Sequence, residues 1–231
     1  MRLLLILTTL LLASPAHAAE RRYAVADFDR VIVEGPYAVR LTVGAPSSAT
    51  ASGSPQALDA VTVEVQGMTL RIRRNRNAWS ATPGRTPEPA AITLTTRNLR
   101  AARVIGSGTI ELSGARGLRV DLSVDGSGRL SARRVQADAL SLGLRGSGSI
   151  LVEGQAGNLT ADIQGTGSLT ASGLAAQTAT VSATTSGHIV LSVRRSATVT
   201  ANGLGNVVIA GEPACTLRGP GAAEVRCGRA R

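Results

Sequence analysis

The sequence predicts an all-β fold of one kind: a single-stranded parallel β-helix, or β-solenoid, with about 20 residues per coil. Three observations lead there. A Gly-Ser-Gly triplet recurs at Gly106-Ser107-Gly108, Gly126-Ser127-Gly128 and Gly146-Ser147-Gly148. It then decays through Gly165-Thr166-Gly167, Thr185-Ser186-Gly187 and Gly203-Leu204-Gly205 to Gly219-Pro220-Gly221. The spacings between successive triplets are 20, 20, 19, 20, 18 and 16 residues. Around each triplet, positions an even number of places away are apolar and the odd ones are polar. Finally, the second glycine of the triplet has no exception.

Counting from the first triplet residue, the column two places earlier holds Val104, Val124, Leu144, Ile163, Ala183, Ala201 and Leu217. Four places earlier stand Ala102, Leu122, Leu142, Ala161, Val181, Val199 and Cys215. Four places later come Ile110, Leu130, Ile150, Leu169, Ile189, Val207 and Ala223. Six places later come Leu112, Ala132, Val152, Ala171, Leu191, Ile209 and Val225. Period-2 alternation of this kind marks half-buried strands. One coil cannot bury its apolar side alone, whereas coils stacked about 4.8 Å apart pair their backbones and share a continuous core. Right-handed winding follows from the crossover rule. The parity predicts that Leu122, Leu142, Leu144, Ile150, Ile163, Leu169 and Leu191 are buried, and that Ser107, Ser127, Ser147 and Thr166 face outward. The strict column is Gly108, Gly128, Gly148, Gly167, Gly187, Gly205 and Gly221. Either a positive φ or a lack of room for a Cβ would require glycine there. A phosphate-cradling loop is excluded, because each triplet leads into another β pattern and not into a helix.

Four regions follow. Residues 1–18 have the form of a signal peptide: Arg2, the apolar run Leu3 to Leu12, and Ala16-His17-Ala18 as a cleavage signal, with cleavage expected near Ala18. The run is too short to span a bilayer, and no later stretch would make a transmembrane segment in the mature chain. Residues 23–99 read as an N-terminal β region that caps the solenoid. Val31 and Val33, then Tyr37, Val39, Leu41 and Val43, then Val61, Val63 and Val65, then Met68, Leu70 and Ile72 alternate, with Gly67 as a turn. A Pro-rich loop from Ala78 to Ala90 precedes Ile92 and Leu94. Residues 100–213 are the repeat coils, and residues 214–231 a last coil closed by a disulfide. Cys215 and Cys227 are the two cysteines of an exported chain and lie six residues either side of Gly221. Pairing is their expected state, since no His or Cys stands nearby at metal-ligand spacing.

The formal net charge is +10 and every basic side chain is arginine. This favours anionic partners, and the export signal removes nucleic acid from among them. The densest cluster is Arg71, Arg73, Arg74 and Arg76, followed by Arg85 in the Pro-rich loop. Clustered guanidinium groups suit phosphate and carboxylate, so these five are the candidate anion-binding residues, for lipopolysaccharide, an anionic glycan or another cell-surface component. A solvated cap edge explains the same cluster, because edge charges discourage strand addition. Tyr37 and Trp79, in the same segment, are the available stacking surface.

Phe28-Asp29-Arg30-Val31, then the run from Gly35-Pro36-Tyr37 to Gly44, the Trp79 loop and the triplets in register together resemble the auto-transporter adhesin head GIN domain family, DUF2807, from about Phe28 to about Gly211. The resemblance implies a β-helix related in shape to pectate-lyase-like folds and a role in adhesion. It brings no catalytic residues with it. No membrane β-barrel that could act as a translocator accompanies the repeat. A binding module, a polysaccharide-active enzyme and an envelope scaffold all fit the fold. The residues weigh against the enzyme. Glycoside hydrolysis wants two carboxylates a few ångströms apart, yet Asp121 and Asp125 share an outer face while Glu111 and Asp162 are scattered. His188 takes a surface position. No catalytic, cofactor-binding or metal-ligating set is therefore expected.

Overall fold

The computed structural model describes residues 19–76, 88–221 and 224–228. Along the chain come β1 (Ala19–Tyr23), β2 (Arg30–Glu34), β3 (Ala38–Val43), β4 (Ser48–Gly53), the short helix α1 (Pro55–Asp59), β5 (Val61–Gln66), β6 (Thr69–Arg74), β7 (Ala91–Thr96), β8 (Ala101–Gly106) and β9 (Thr109–Leu112). The long strands follow: β10 (Ala115–Gly126), β11 (Arg129–Gly146), β12 (Ser149–Gly165), β13 (Ser168–Thr185) and β14 (His188–Ala201). The shorter β15 (Asn206–Ala210), β16 (Ala214–Arg218) and β17 (Val225–Cys227) end the rod. The fold is a β-solenoid of stacked coils with a repeat of about 20 residues.

Parallel pairing locks the columns in register: Leu122 lies beside Leu142 and Leu142 beside Ala161, while Val124, Leu144 and Ile163 run alongside. Leu122, Leu142, Leu144, Ile150, Ile163, Leu169 and Leu191 are all buried, and Ser107, Ser127, Ser147 and Thr166 are all exposed. The parity read from the sequence therefore holds. Within one coil the alternation breaks three times. In β11 it breaks at the exposed pair Arg133-Arg134, again at Asp138-Ala139, and at the exposed run Arg145 to Ser147. Each break turns the chain without turning the core outward, so a coil has three sides. The columns flanking the triplets cover two of them. The third is lined by Ala115, Val135, Leu174 and Val193, all buried.

The triplet glycines divide the labour. Positive φ belongs to the first glycine, at Gly106 (98°), Gly126 (123°), Gly146 (109°) and Gly165 (112°), and not to the second. The second lies inside the coil, where room is the constraint. A Cβ on Gly108 would stand 2.5 Å from the Gly35 carbonyl, and one on Gly128 or Gly148 would stand 2.5 Å from the carbonyl of the glycine one coil below. Thr185 replaces the first glycine without positive φ, and its hydroxyl accepts from the Gly187 amide at 2.8 Å.

The N-terminal region departs from the simple solenoid. β2 and β3 form a coil whose bend is Gly35-Pro36-Tyr37, under Gly106-Ser107-Gly108. β6 and β7 form the coil below it, and β8 and β9 the coil above it. The chain thus makes the second coil of the stack before the first. The open end is then covered by antiparallel strands, β5 on β6, β4 on β7 and β1 on β4. Met68, expected to alternate with Leu70, sits in the turn with Gly67 and is exposed. Asp29, buried at the start of β2, receives the Arg100 Nε at 2.7 Å.

At the far end the last coil pairs Val199 with Leu217, Val207 with Val225 and Ile209 with Cys227. Aligning the glycines of the last triplet by sequence displaced this coil by two residues. The displacement is even, so the faces survive it, although Leu217 stays exposed with no coil above it among the described residues. Ala223 lies outside the described residues. Cys215 and Cys227 are joined in a disulfide, with Cα atoms 6.6 Å apart.

Candidate functional site

In β6 the β alternation buries Leu70 and Ile72 and turns Arg71 and Arg73 outward. These two do not stand free. Arg71 faces Glu34 at 3.4 Å, and Arg73 faces Glu64 on the hairpin partner β5 at 2.9 Å. Arg74 closes the strand and Arg76 follows it. Both are exposed, and neither meets a carboxylate at ion-pair distance among the described residues. Backbone bonds hold this corner, with the Asn75 amide donating to the Ala60 carbonyl at 2.8 Å. Arg85 and Trp79 lie outside the described residues. The candidate anion edge is thus Arg74 and Arg76, with Arg71 and Arg73 largely neutralised behind them.

Tyr37 is not a stacking surface. It is 4% exposed, and its hydroxyl donates to the Ala60 carbonyl at 3.2 Å. It stands at the place of the strict glycine, level with Gly108 in the coil above. Burial raises its pKa above 10.0, against a smaller opposing pull from Arg74.

Of the four acids weighed for catalysis, Asp125, Asp162 and Glu111 are partnered by arginine, while Asp121 makes no ion pair among the described residues. Arg103 meets Asp125 at 2.6 Å, Arg145 reaches Asp125 at 3.8 Å and Asp162 at 3.5 Å, and Arg40 meets Glu111 at 3.2 Å. One side of the rod therefore carries a ladder of alternating charge, which the sequence reading missed. The signal was available, since Arg103, Asp125, Arg145 and Asp162 occupy neighbouring outward positions in successive coils. His188 is exposed, and no cluster of His, Cys, Asp and Glu suited to a metal occurs among the described residues. Among those residues no helix is long and apolar enough to cross a membrane.

A three-sided solenoid with an arginine-rich surface and arginine-neutralised carboxylates is the frame of an adhesin-like binding protein. Residues 27–213 match the family described as "Putative auto-transporter adhesin, head GIN domain", and the chain belongs to that family. Membership implies a place outside the cytoplasm, and the family is one of adhesins, not of enzymes. Solved structures share the fold. A "putative adhesin" from Bacteroides fragilis superposes with a TM-score of 0.81 at 19% identity, covering 93% of this chain and 98% of that one. A "putative lipid binding protein" from Parabacteroides distasonis gives 0.66 at 18% identity, covering 94% and 98%. A "putative adhesin" from Parabacteroides merdae gives 0.67 at 14% identity, covering 94% and 98%. No curated protein matches the chain.

Proposed function

We propose that this protein is an envelope binding module that holds an anionic glycan, of lipopolysaccharide or of another surface component, on the outside of its solenoid. The supporting observation is the pair of exposed arginines Arg74 and Arg76, with no carboxylate at ion-pair distance among the described residues, on a chain of net charge +10. Arg85 would extend that edge. In this reading the signal peptide is removed near Ala18 and residues 23–99 serve as the cap. Residues 100–213 are right-handed repeat coils, and residues 214–231 the closing coil.

The test is binding of the purified mature protein to lipopolysaccharide and acidic glycans at low and moderate salt. Binding should weaken steeply as salt rises. Charge-assisted hydrogen bonds contribute ~1.5–3 kcal/mol each, so replacing Arg74 and Arg76 by Ser should cost at least roughly tenfold in affinity. The quadruple Ser variant of Arg71, Arg73, Arg74 and Arg76 should abolish binding with little loss of melting temperature. Parent-like binding by the quadruple variant would reduce this edge to a cap.

A further inference from the structure

Where the second side of the coil bends into the third, a recess of about 510 Å³ opens on the surface. Three coils send arginines to it: Arg97 after β7, Arg116 in β10 and Arg134 at the bend within β11. Asn98, Gln136 and Gln155 supply amides around them, and Val43, Ala115 and Val135 line it beside Gly44, Gly114 and Gly154. The neighbouring clefts carry acids, Asp138 in one and Glu111 with Glu153 in the other. Among the described residues no carboxylate lines this recess, although Arg134 also borders the cleft with Glu111 and Glu153, and Arg116 the one with Asp138. Arg97 shares its charge with Asp27 at 3.6 Å, whereas Arg116 and Arg134 meet no carboxylate among the described residues.

Arg134 is held unusually. Its φ of 53° makes it the single non-glycine residue with positive φ among the described residues. One coil below, Gly114 stands level with Arg134, while one coil above, the register shifts and Gly154 pairs with Val135 instead. A side chain kept in that conformation against its preference points to a use for it. Its Nε donates to the Ser113 carbonyl at 2.9 Å, which fixes the guanidinium plane and leaves the two terminal nitrogens for a two-pronged acceptor.

We infer that this recess is a binding site for an acidic sugar residue, with its carboxylate on Arg134 and Arg116 and its hydroxyls on Asn98, Gln136 and Gln155. The recess falls in the size range of small-molecule sites, far larger than a bare oxyanion needs. The inference takes only its ligand class from the envelope reading above, and its residues are separate from Arg74 and Arg76.

The experiment measures digalacturonate binding to the mature protein at low salt by calorimetry, with the methyl ester and inorganic phosphate as comparison ligands. Arg134→Gly suits the backbone, so it should melt at or above the parent temperature while binding falls about tenfold. Arg116→Gln should lose binding similarly, and Arg74→Ser/Arg76→Ser should keep it. The methyl ester should bind more weakly than the acid. Parent-like binding by Arg134→Gly, or no digalacturonate binding by the parent, overturns the site, even if lipopolysaccharide binding through Arg74 and Arg76 stands. Phosphate binding as tightly as digalacturonate overturns the sugar assignment.

Discussion

Gly148 offers a direct measure of how tightly the coils are stacked. In Gly148→Ala the new Cβ would lie 2.5 Å from the Gly128 carbonyl oxygen and 2.8 Å from a Val124 methyl. Carbon and oxygen in ordinary close contact sit about 3.3–3.6 Å apart, so the coils must separate locally by about 1 Å. The Gly148 amide bonds the Gly126 carbonyl at 2.9 Å and the Ser149 amide bonds the Gly128 carbonyl at 3.0 Å; both bonds would stretch beyond use. Two net hydrogen bonds at about 1 kcal/mol each and an overpacking cost of about 1–3 kcal/mol give a loss of roughly 3–5 kcal/mol. In a domain of this size that lowers the melting temperature by about 10 °C. The control is Gly143→Ala on the outer face, where the nearest heavy atom would be the Ser123 Cβ at 3.4 Å. It should be neutral, or stabilise by a few tenths of a kcal/mol through the unfolded chain. Urea unfolding followed by circular dichroism compares the two. A Gly148→Ala variant within about 0.5 kcal/mol of Gly143→Ala would refute the close-stacking argument. The lack of exceptions at the second glycine alone would make Gly146→Ala far milder than Gly148→Val, yet Gly146 combines a φ of 109° with a Cβ approach of 2.5 Å to the Gly126 carbonyl. Its replacement should be costly as well.

Tyr37 makes stability sensitive to alkali. Its pKa is raised by burial, so the unfolded chain ionises first, and stability present below pH 10.0 is lost as pH rises through the raised value. Tyr37→Phe should remove that part of the alkaline decline while costing about 1 kcal/mol at neutral pH through the lost bond to Ala60, as read from urea melts across pH. The Cys215–Cys227 link closes a short loop, so replacing both cysteines by Ser should cost at most ~3 kcal/mol. A thiol assay on the unfolded, unreduced exported protein should find no reactive cysteine.

What the sequence made legible was whatever repeats with period 2. Leu122, Leu142 and Leu144 announce a core because apolar and polar residues alternate around them, and backbone pairing then copies the pattern from coil to coil. The third side was harder to see. Its inward column mixes Ala115, Val135, Gly154 and Leu174, so hydrophobic contrast is weak there. The bends on either side also shift the alternation by an odd step. The coil at Gly35-Pro36-Tyr37 was hidden because a tyrosine fills the place of the strict glycine. Of the candidate site, the exposure of Arg74 and Arg76 follows from the strand ending at Arg74. The pairing of Arg71 with Glu34 and of Arg73 with Glu64 needed the strand partners, which no local pattern names. Arg134 left no trace, because the register shift after Ala132 breaks the equal spacing that the triplets suggest.

The displaced order of the first coils bears on how the chain is made. A chain delivered through an export channel with its N-terminus leading presents β2 and β3 early, yet their partners on both edges come later, as in the contact of Arg40 with Glu111 across 71 residues. Until those partners emerge, two apolar strands travel with bare edges, open to pairing with a neighbouring chain. The C-terminal coils meet no such delay, since each can settle on the one before it. Synthesis and secretion are therefore most exposed to error at the beginning of this rod, and a chaperone that shields extended segments would matter most for about its first hundred residues.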